Sequence, residues 1–453
     1  MAPTANHVGR WERGLVRPTG IYRQLLAEHF EVSVAELGLT RQRLNATGAS
    51  EPADVSGSLA LVDDDPEGDP YVAAVQSEWR QVRTALNRRR VALSRAVAGL
   101  YPADNRVGPS GLIAPAAWLA ERPVDLAEIA LTFHADQQEP ALTGSEEGAA
   151  RSRPLETADQ RYPRYSLAIR DLDRPRLFEN RTAWRLLHQE ATETGVRMDF
   201  ADTTYFDAVD VSESLAHEAV GAFLIGSEGA VTPNLSMREM PFRRLVGDPF
   251  DGSRRPMLPS MDTLTIRQDR DGASFVLHNR NAGNVVTAGG MLHIMPAGVF
   301  QPSSVRNAAK TADFDLWRNI AREYSEEFLG SAEHGGDGQL IDYATEPFAS
   351  FDAARTAGTL RAYWFGAALD ALTLWGEILT VAVFDADVYD RIFADMVHHN
   401  DEGSVVRTGR VHPTSAIPFT EHVVRELLDG GRLAPAAAGC LQLAWDHRRN
   451  LLG

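Results

Sequence analysis

The 453-residue sequence has little cysteine, little lysine and no long apolar run. Its single cysteine, Cys440, excludes an internal disulfide and any site built from several thiolates, so a metal would need oxygen or imidazole ligands. The best apolar stretch, residues 372–384, is interrupted by Glu377 and is shorter than the roughly 18 residues that a membrane span needs. The N-terminal residues have no apolar stretch behind their charges, which argues against a secretory signal. We therefore expect a soluble, cytoplasmic protein.

Negative charge dominates, with 45 Lys plus Arg against 62 Asp plus Glu and a formal net charge of −17. A field of this sign opposes a role in coating nucleic acid, although a local basic face could still bind DNA. Lys310 is the single lysine, and this bias, with abundant Ala, Gly and Pro, is typical of a GC-rich genome such as that of an actinobacterium. The 44% apolar and 24% charged fractions are those of a globular chain, and the length predicts about two to four domains.

Residues 1–45 predict two short helices around a turn. The stretch NHVGRWERG at residues 6–14, followed by LLAEHFEVSVAELGL, resembles the second half of a Cro/repressor-type (XRE) helix-turn-helix of streptomycete transcriptional regulators. The resemblance implies that residues 6–14 belong to a recognition helix and its exit. No counterpart of the first two helices precedes Met1, and a domain this small has little stability to spare, so the helix-turn-helix is expected to be partial and DNA binding doubtful.

Residues 46–70 are polar, acidic and broken by Pro and Gly, which predicts a linker. Residues 71–160 predict a helical segment with loops, beginning with a long helix to about residue 100. The apolar stripe of that helix is Val75, Trp79, Val82, Leu86, Leu93 and Val97. Its arginines are Arg80, Arg83, Arg88, Arg89, Arg90 and Arg95. We interpret them as a solvated face paired with acidic neighbours, in preference to a nucleic-acid contact.

Residues 161–259 predict an α+β segment. RYSLAIRDL (164–172) and DFADTTYF (199–206) predict strands, whereas ENRTAWRLLHQEATETG (179–195) and DVSESLAHEAVGAFL (210–224) predict helices. Asp210 or Ser212 is the expected cap of the second helix. The acidic and aromatic residues here leave two interpretations open, a pocket lining or ordinary packing and capping. They include Tyr205, Asp207, Asp210 and Glu213.

Residues 260–453 begin with alternating segments that predict successive strands, and a helix follows that ends near Gly330. Glu323, Glu326 and Glu327 lie at offsets zero, three and four, so they share one face of that helix. Neighbouring carboxylates repel one another unless a cation lies among them, and Mg²⁺ prefers hard oxygen ligands. This spacing predicts a magnesium site, and the alternative is a solvated acidic face.

The PAG of Pro296, Ala297 and Gly298, followed by REYSEE from Arg322 onward and a nearby glycine, resembles the Nudix box. That pattern is a glycine, five residues, Glu, seven residues and REUxEExGU. The resemblance implies an α/β/α sandwich over residues 260–453 and hydrolysis of a diphosphate linked to another group, with Mg²⁺ or Mn²⁺. By position it implies metal ligation or water orientation by Glu323, Glu326 and Glu327, a bracing role for Arg322, and substrate contacts at Gly298 and Ser304.

Three departures from the Nudix pattern matter. Ser304 stands where the family has Glu, about ten extra residues precede Arg322, and Leu329 adds one residue before Gly330. These departures count against simple catalysis, although the Arg-Glu-Glu-Glu core is kept. The resemblance still implies a magnesium-dependent hydrolase of a nucleoside-diphosphate-linked or related phosphorylated metabolite. The alternative is a transcriptional regulator whose Nudix-like domain senses a phosphorylated ligand without cleaving it.

Other polar residues downstream carry weaker hypotheses. Asp370 and Glu377 lie in or beside strand-like sequence and could add a metal ligand or a general base, or simply be exposed. Cys440 is expected in the core of a closing helix, and His398 with His399 is interpreted as a surface pair. The expected partner is a small phosphorylated metabolite rather than a membrane, and a homodimer is left open.

Overall fold

The structure, a computed structural model, describes residues 69–175, 178–192, 195–226, 235–280, 291–331, 340–396, 403–406 and 416–453. These residues belong to one of two compact units, Gly68–Gly453. The expected helix-turn-helix and nearly all of the expected linker lie outside the described residues. Among the helices that are described, none combines the length and the apolar character needed to cross a membrane.

Helices and strands alternate along the described chain. The helices are α1 (Pro70–Ala98), α2 (Tyr165–Leu172), α3 (Tyr205–Gly226), α4 (Pro241–Val246), α5 (Asn307–Asp313), α6 (Leu316–Glu323), α7 (Phe348–Thr356), α8 (Ala386–Ile392), α9 (Glu421–Asp429), α10 (Pro435–Asp446) and α11 (Arg448–Leu452). The strands are β1 (Leu112–Ile113), β2 (Leu119–Asp125), β3 (Ile129–Phe133), β4 (Thr182–Thr192), β5 (Gly195–Thr204), β6 (Pro259–Gln268), β7 (Ala273–Phe275), β8 (Leu277–Arg280), β9 (Leu292–Ile294), β10 (Ala297–Val299), β11 (Leu360–Asp370), β12 (Gly376–Asp385), β13 (Gly403–Val406) and β14 (Ile417–Pro418). The fold is therefore α+β, as expected.

An eight-stranded mixed sheet organises the molecule. Its order is β1-β11-β12-β6-β7-β14, with β2 pairing β11 and β10 pairing β6. β12 runs parallel to β6, whereas β10 and β7 run antiparallel to it. The strands β11, β12 and β6 are long and almost wholly buried, as expected for a sheet covered on both faces. The sheet joins strands from residues 112–125 to strands from residues 259–418.

Two three-stranded sheets accompany the large one, in the orders β3-β5-β4 and β13-β8-β9. Helix α10 lies against β12, β6 and β11. Its Leu441 and Ala444 are fully buried, as is Leu451 of the following helix α11. Cys440 is also fully buried, which confirms its place in the core.

Two expected elements in residues 161–259 are wrong. Residues 165–172 form a helix, because Tyr165, Ala168 and Ile169 are buried at helical spacing. Most of residues 179–195 form the strand β4, which pairs with β5 along its whole length. Pairing with the adjacent strand β5 and burial on the sheet outweigh the local helix propensity of these residues.

The expected cap of α3 is wrong as well. The helix begins at Tyr205, so Asp210 and Ser212 lie inside it. The Thr204 hydroxyl accepts a hydrogen bond of 3.3 Å from the Asp207 N–H at the true start, which is the role of an N-cap side chain. Asp210 instead accepts a hydrogen bond of 2.6 Å from the Ser166 N–H in the first turn of α2.

Candidate functional site

The helix α6 carries the predicted acidic residues, and its sequence explains why it forms there. Asp315 caps its N-terminus by accepting a hydrogen bond of 2.8 Å from the Arg318 N–H. Leu316, Ile320 and Tyr324 are buried at helical spacing, as expected. Residues Tyr324–Phe328 continue the helix as a π-helical turn, a rare geometry that recurs at functional sites. Glu323 thus ends the α-helix, and Glu326 and Glu327 belong to the π turn.

An aromatic cluster in the core holds the π turn in place. Tyr324 and Phe328 pack against Phe351, Phe384 and Phe393, with Phe328 and Phe393 ring centroids 4.8 Å apart. The Tyr324 hydroxyl shares a hydrogen bond of 2.7 Å with the Thr265 hydroxyl on β6, and burial raises the pKa of the tyrosine. The turn that carries the carboxylates is therefore anchored to the central sheet.

Glu323 lies directly against the predicted glycine. A Cβ atom at position 298 would overlap the Glu323 carboxylate, so any larger residue there would displace the end of that side chain. The buried Arg322 donates a hydrogen bond of 2.9 Å to the Gln301 carbonyl oxygen, and its guanidinium lies 3.7 Å from the Glu323 carboxylate. Arg322 therefore links the loop after β10 to the acidic helix.

Glu327 reaches the same strand one residue earlier. Its carboxylate accepts a hydrogen bond of 3.3 Å from the Ala297 N–H, and its side chain is 5% exposed. Glu326 is half-buried. The structure thus brings Glu323, Glu327, Arg322 and Gly298 together at the junction of β10 and α6. Within the described ranges, no three His, Cys, Asp or Glu side chains cluster closely enough to hold a metal by themselves.

Ser304 lies in the loop that leads away from this junction. Its hydroxyl accepts a hydrogen bond of 3.1 Å from the Arg306 N–H, so it is used to shape its own turn. The extra residues seen in the sequence form α5. Asp313 at the end of α5 accepts a hydrogen bond of 2.7 Å from the Ser303 N–H and another of 2.8 Å from the Tyr343 hydroxyl. The insertion therefore holds the loop in place.

The remaining candidates lie in different surroundings. Asp370 is buried and accepts hydrogen bonds of 3.1 Å from the Leu372 N–H and the Thr373 hydroxyl, and burial raises its pKa. Glu377 is half-buried on β12 beside Ser260 of β6. Burial raises the pKa of Cys440 well above its ordinary value, which disfavours a thiolate nucleophile. His398 and His399 lie outside the described residues.

A buried ionic network between α1 and α3 was not expected from the sequence. Glu213 lies 3.2 Å from Arg83 and 3.0 Å from Arg90, and Arg83 lies 2.6 Å from Asp173. Arg83 and Arg90 are buried, so the interpretation of all six arginines as a solvated face is wrong for these two, although their pairing with acidic residues is confirmed. A buried arginine needs an acidic partner. Glu213 lies 123 residues from Arg90 and 130 residues from Arg83 in sequence, so the sequence pattern did not reveal this pairing.

His217 and Asp210 on α3 are also buried polar residues. His217 accepts or donates a hydrogen bond of 3.0 Å with the Tyr165 hydroxyl and stacks on Trp79 with ring centroids 6.0 Å apart. Burial and the nearby Arg83 lower the pKa of His217 to about 3. Burial raises the pKa of Asp210 to about 6. For Asp210 and Glu213, capping and ion pairing account for the side chains without a pocket.

Comparisons with known proteins give no further information about these residues. No protein-family model matches the chain, and no curated protein matches it significantly.

Proposed function

We propose that residues 260–453 form a Nudix-like domain that hydrolyses a nucleoside-diphosphate-linked or related phosphorylated metabolite with the help of Mg²⁺ or Mn²⁺. The observation that carries the proposal is the convergence of Glu323 and Glu327 on consecutive residues of one strand. The first carboxylate packs on Gly298 and the second binds the Ala297 N–H. The Nudix box pairs a glycine loop with an acidic helix in the same way.

The donors at this junction fit a hard divalent cation. Mg²⁺ is held by one or two carboxylates, with waters and substrate phosphates in its other positions, so a cluster of three protein ligands is not required. Glu323 and Glu327 would hold the ion. When bound, the ion would polarise a phosphate and lower the pKa of a water molecule.

The surrounding residues then have distinct roles in the proposal. Arg322 holds Glu323 and the Gln301 carbonyl, so it positions the carboxylate beside Gly298. The Ala297 N–H orients one Glu327 oxygen toward β10. The half-buried Glu326 is placed to accept the proton from the attacking water.

The test is a screen of nucleoside diphosphate sugars, dinucleotides and free nucleotides with Mg²⁺, with cleavage and binding measured separately. For any substrate that is cleaved, Glu326→Gln and Glu327→Gln should each lower kcat by about 100-fold or more, while the fold persists. Glu121→Gln is the matched control, since this glutamate is exposed on β2. Undiminished turnover in both site variants would contradict the proposed mechanism.

A second candidate function is ligand sensing without cleavage, as in a regulator. The observation that favours it is Ser304, which stands where the Nudix pattern has Glu. Its hydroxyl accepts a hydrogen bond from the Arg306 N–H within its own turn. A loop shaped in this way can bind phosphates while leaving water unactivated. Thermal stabilisation by a nucleoside diphosphate compound, with no product formed, would support sensing. Sequence-specific DNA binding by the full chain is the complementary measurement.

A further inference from the structure

A separate cleft of about 440 Å³ runs along the outer face of α1, away from the β10–α6 junction. Three arginines line it, Arg80, Arg88 and Arg89, and none of the described lining residues is acidic. Because 80, 84 and 88 are four residues apart, they follow one face of the helix. The cleft therefore presents concentrated positive charge on a chain whose net charge is −17.

The arginines of α1 divide into two sets by their partners. Arg83 and Arg90 are buried against Glu213. Arg88 and Arg89 are exposed, and neither forms an ion pair with any residue in the described part of the chain. Arg80 uses only its Nε, in a hydrogen bond of 3.3 Å to the Leu172 carbonyl. Guanidinium groups thus remain available in the cleft for an external anion.

The size and floor of the cleft narrow the ligand class. A volume of about 440 Å³ falls in the range of small-molecule sites, roughly 300–1,000 Å³. The half-buried Ala85 supplies apolar surface between the arginines, and the buried Leu93 and Val220 lie beneath it. Arginine binds phosphate oxygens in a bidentate manner, whereas the acidic field of the whole chain repels a long polyanion.

We propose that this cleft binds a phosphorylated small molecule, with its phosphates on Arg88 and Arg89 and its apolar part against Ala85. The site is distinct from the carboxylate junction and needs no metal. A nucleic acid would engage the same arginines through its backbone, and the experiment separates it from a small ligand.

Calorimetric titration of the full chain with ADP, in the presence of EDTA, tests this assignment. We expect saturable binding of ADP, no binding of adenosine, and affinity reduced about tenfold or more in the double variant Arg88→Ala, Arg89→Ala. The control variant Arg122→Ala, in which the substituted side chain is an exposed one on β2, should bind ADP as the wild type does. Glu327→Gln should also bind ADP normally, so that failure of the hydrolase proposal and failure of this one are distinguishable.

Three results would overturn the assignment. They are no binding of ADP by the wild-type chain, equal affinity in the double arginine variant, and tighter binding of a short single-stranded oligonucleotide than of ADP with a steep salt dependence. Both substituted arginines are exposed, so the unfolding temperature of the variant should remain that of the wild type.

Discussion

Protonation of His217 should set a measurable part of the pH dependence of stability. The ring is buried between Tyr165 and Trp79, and burial together with the charge of Arg83 lowers its pKa from 6.5 to about 3. Between pH 6.5 and about pH 3, His217 is therefore protonated in the unfolded chain but neutral in the folded chain. The contribution of neutral His217 is fully present above pH 6.5 and is lost as the pH falls toward 3.

The magnitude follows from the length of that pH interval. One proton changes the free energy of unfolding by about 1.4 kcal/mol per pH unit, so His217 removes about 2 kcal/mol between pH 6.5 and pH 5. Asp210 acts in the opposite direction, because burial raises its pKa to about 6 and its protonated form favours the fold at lower pH. The wild-type curve combines these slopes, so the difference between a variant and the wild type is the informative quantity.

Urea unfolding of the wild type and of His217→Gln at pH 7 and pH 5 measures this difference. At pH 7 the variant should be less stable by about 1–2 kcal/mol, because it loses the ring stacking on Trp79. At pH 5 the gap should shrink by about 2 kcal/mol, because glutamine does not titrate. His422→Gln is the control, since that side chain is 89% exposed on α9. An unchanged gap between the two pH values would refute the assignment of the slope to His217.

Two further substitutions test contacts described above. Gly298→Ala should displace the Glu323 carboxylate and reduce any turnover, while the unfolding temperature changes little because the flexible end of that side chain can move away; turnover and thermal unfolding measure this. Gly221→Ala is its control, having nothing within 4 Å of the added atom, and equal effects of the two would contradict the contact. Glu213→Gln should cost about 3 kcal/mol in urea unfolding, because it leaves the buried Arg83 and Arg90 without their shared carboxylate. A loss below about 1 kcal/mol would show that the network contributes little.

Hydrophobic periodicity predicted the elements whose partners are near in sequence or whose pattern is long. The helix α1 is one example, since its observed bounds Pro70–Ala98 lie within two residues of the expected ones. Strand β6 is another, since it begins where successive strands were expected from residue 260 onward. The helix α6 follows the same rule, since its Asp315 cap and its buried stripe lie within one short segment. Such elements are determined by local information that a single sequence contains.

Long-range partners explain where the prediction failed. Asp210 stabilises the start of α2 from 44 residues away. β4 is an exception, because it becomes a strand by forming a hairpin with the adjacent β5. The division of the α1 arginines into buried and exposed residues also has a long-range origin. Glu213 meets Arg83 and Arg90 only because α3 packs on α1. A sequence pattern can show that arginines lie on a helix but cannot show which of them meets a carboxylate.

The candidate site also has a part that the sequence predicted and a part that depends on tertiary packing. Glu323, Glu326 and Glu327 could be chosen from spacing and from resemblance to the Nudix box, whereas the contact of Glu323 with Gly298 and the bond from Ala297 to Glu327 depend on how β10 meets α6. The insertion before Arg322 folds as α5, and Asp313 binds it back to Ser303. The added residues therefore lengthen the connection along the chain, while the Glu323 carboxylate stays in contact with Gly298.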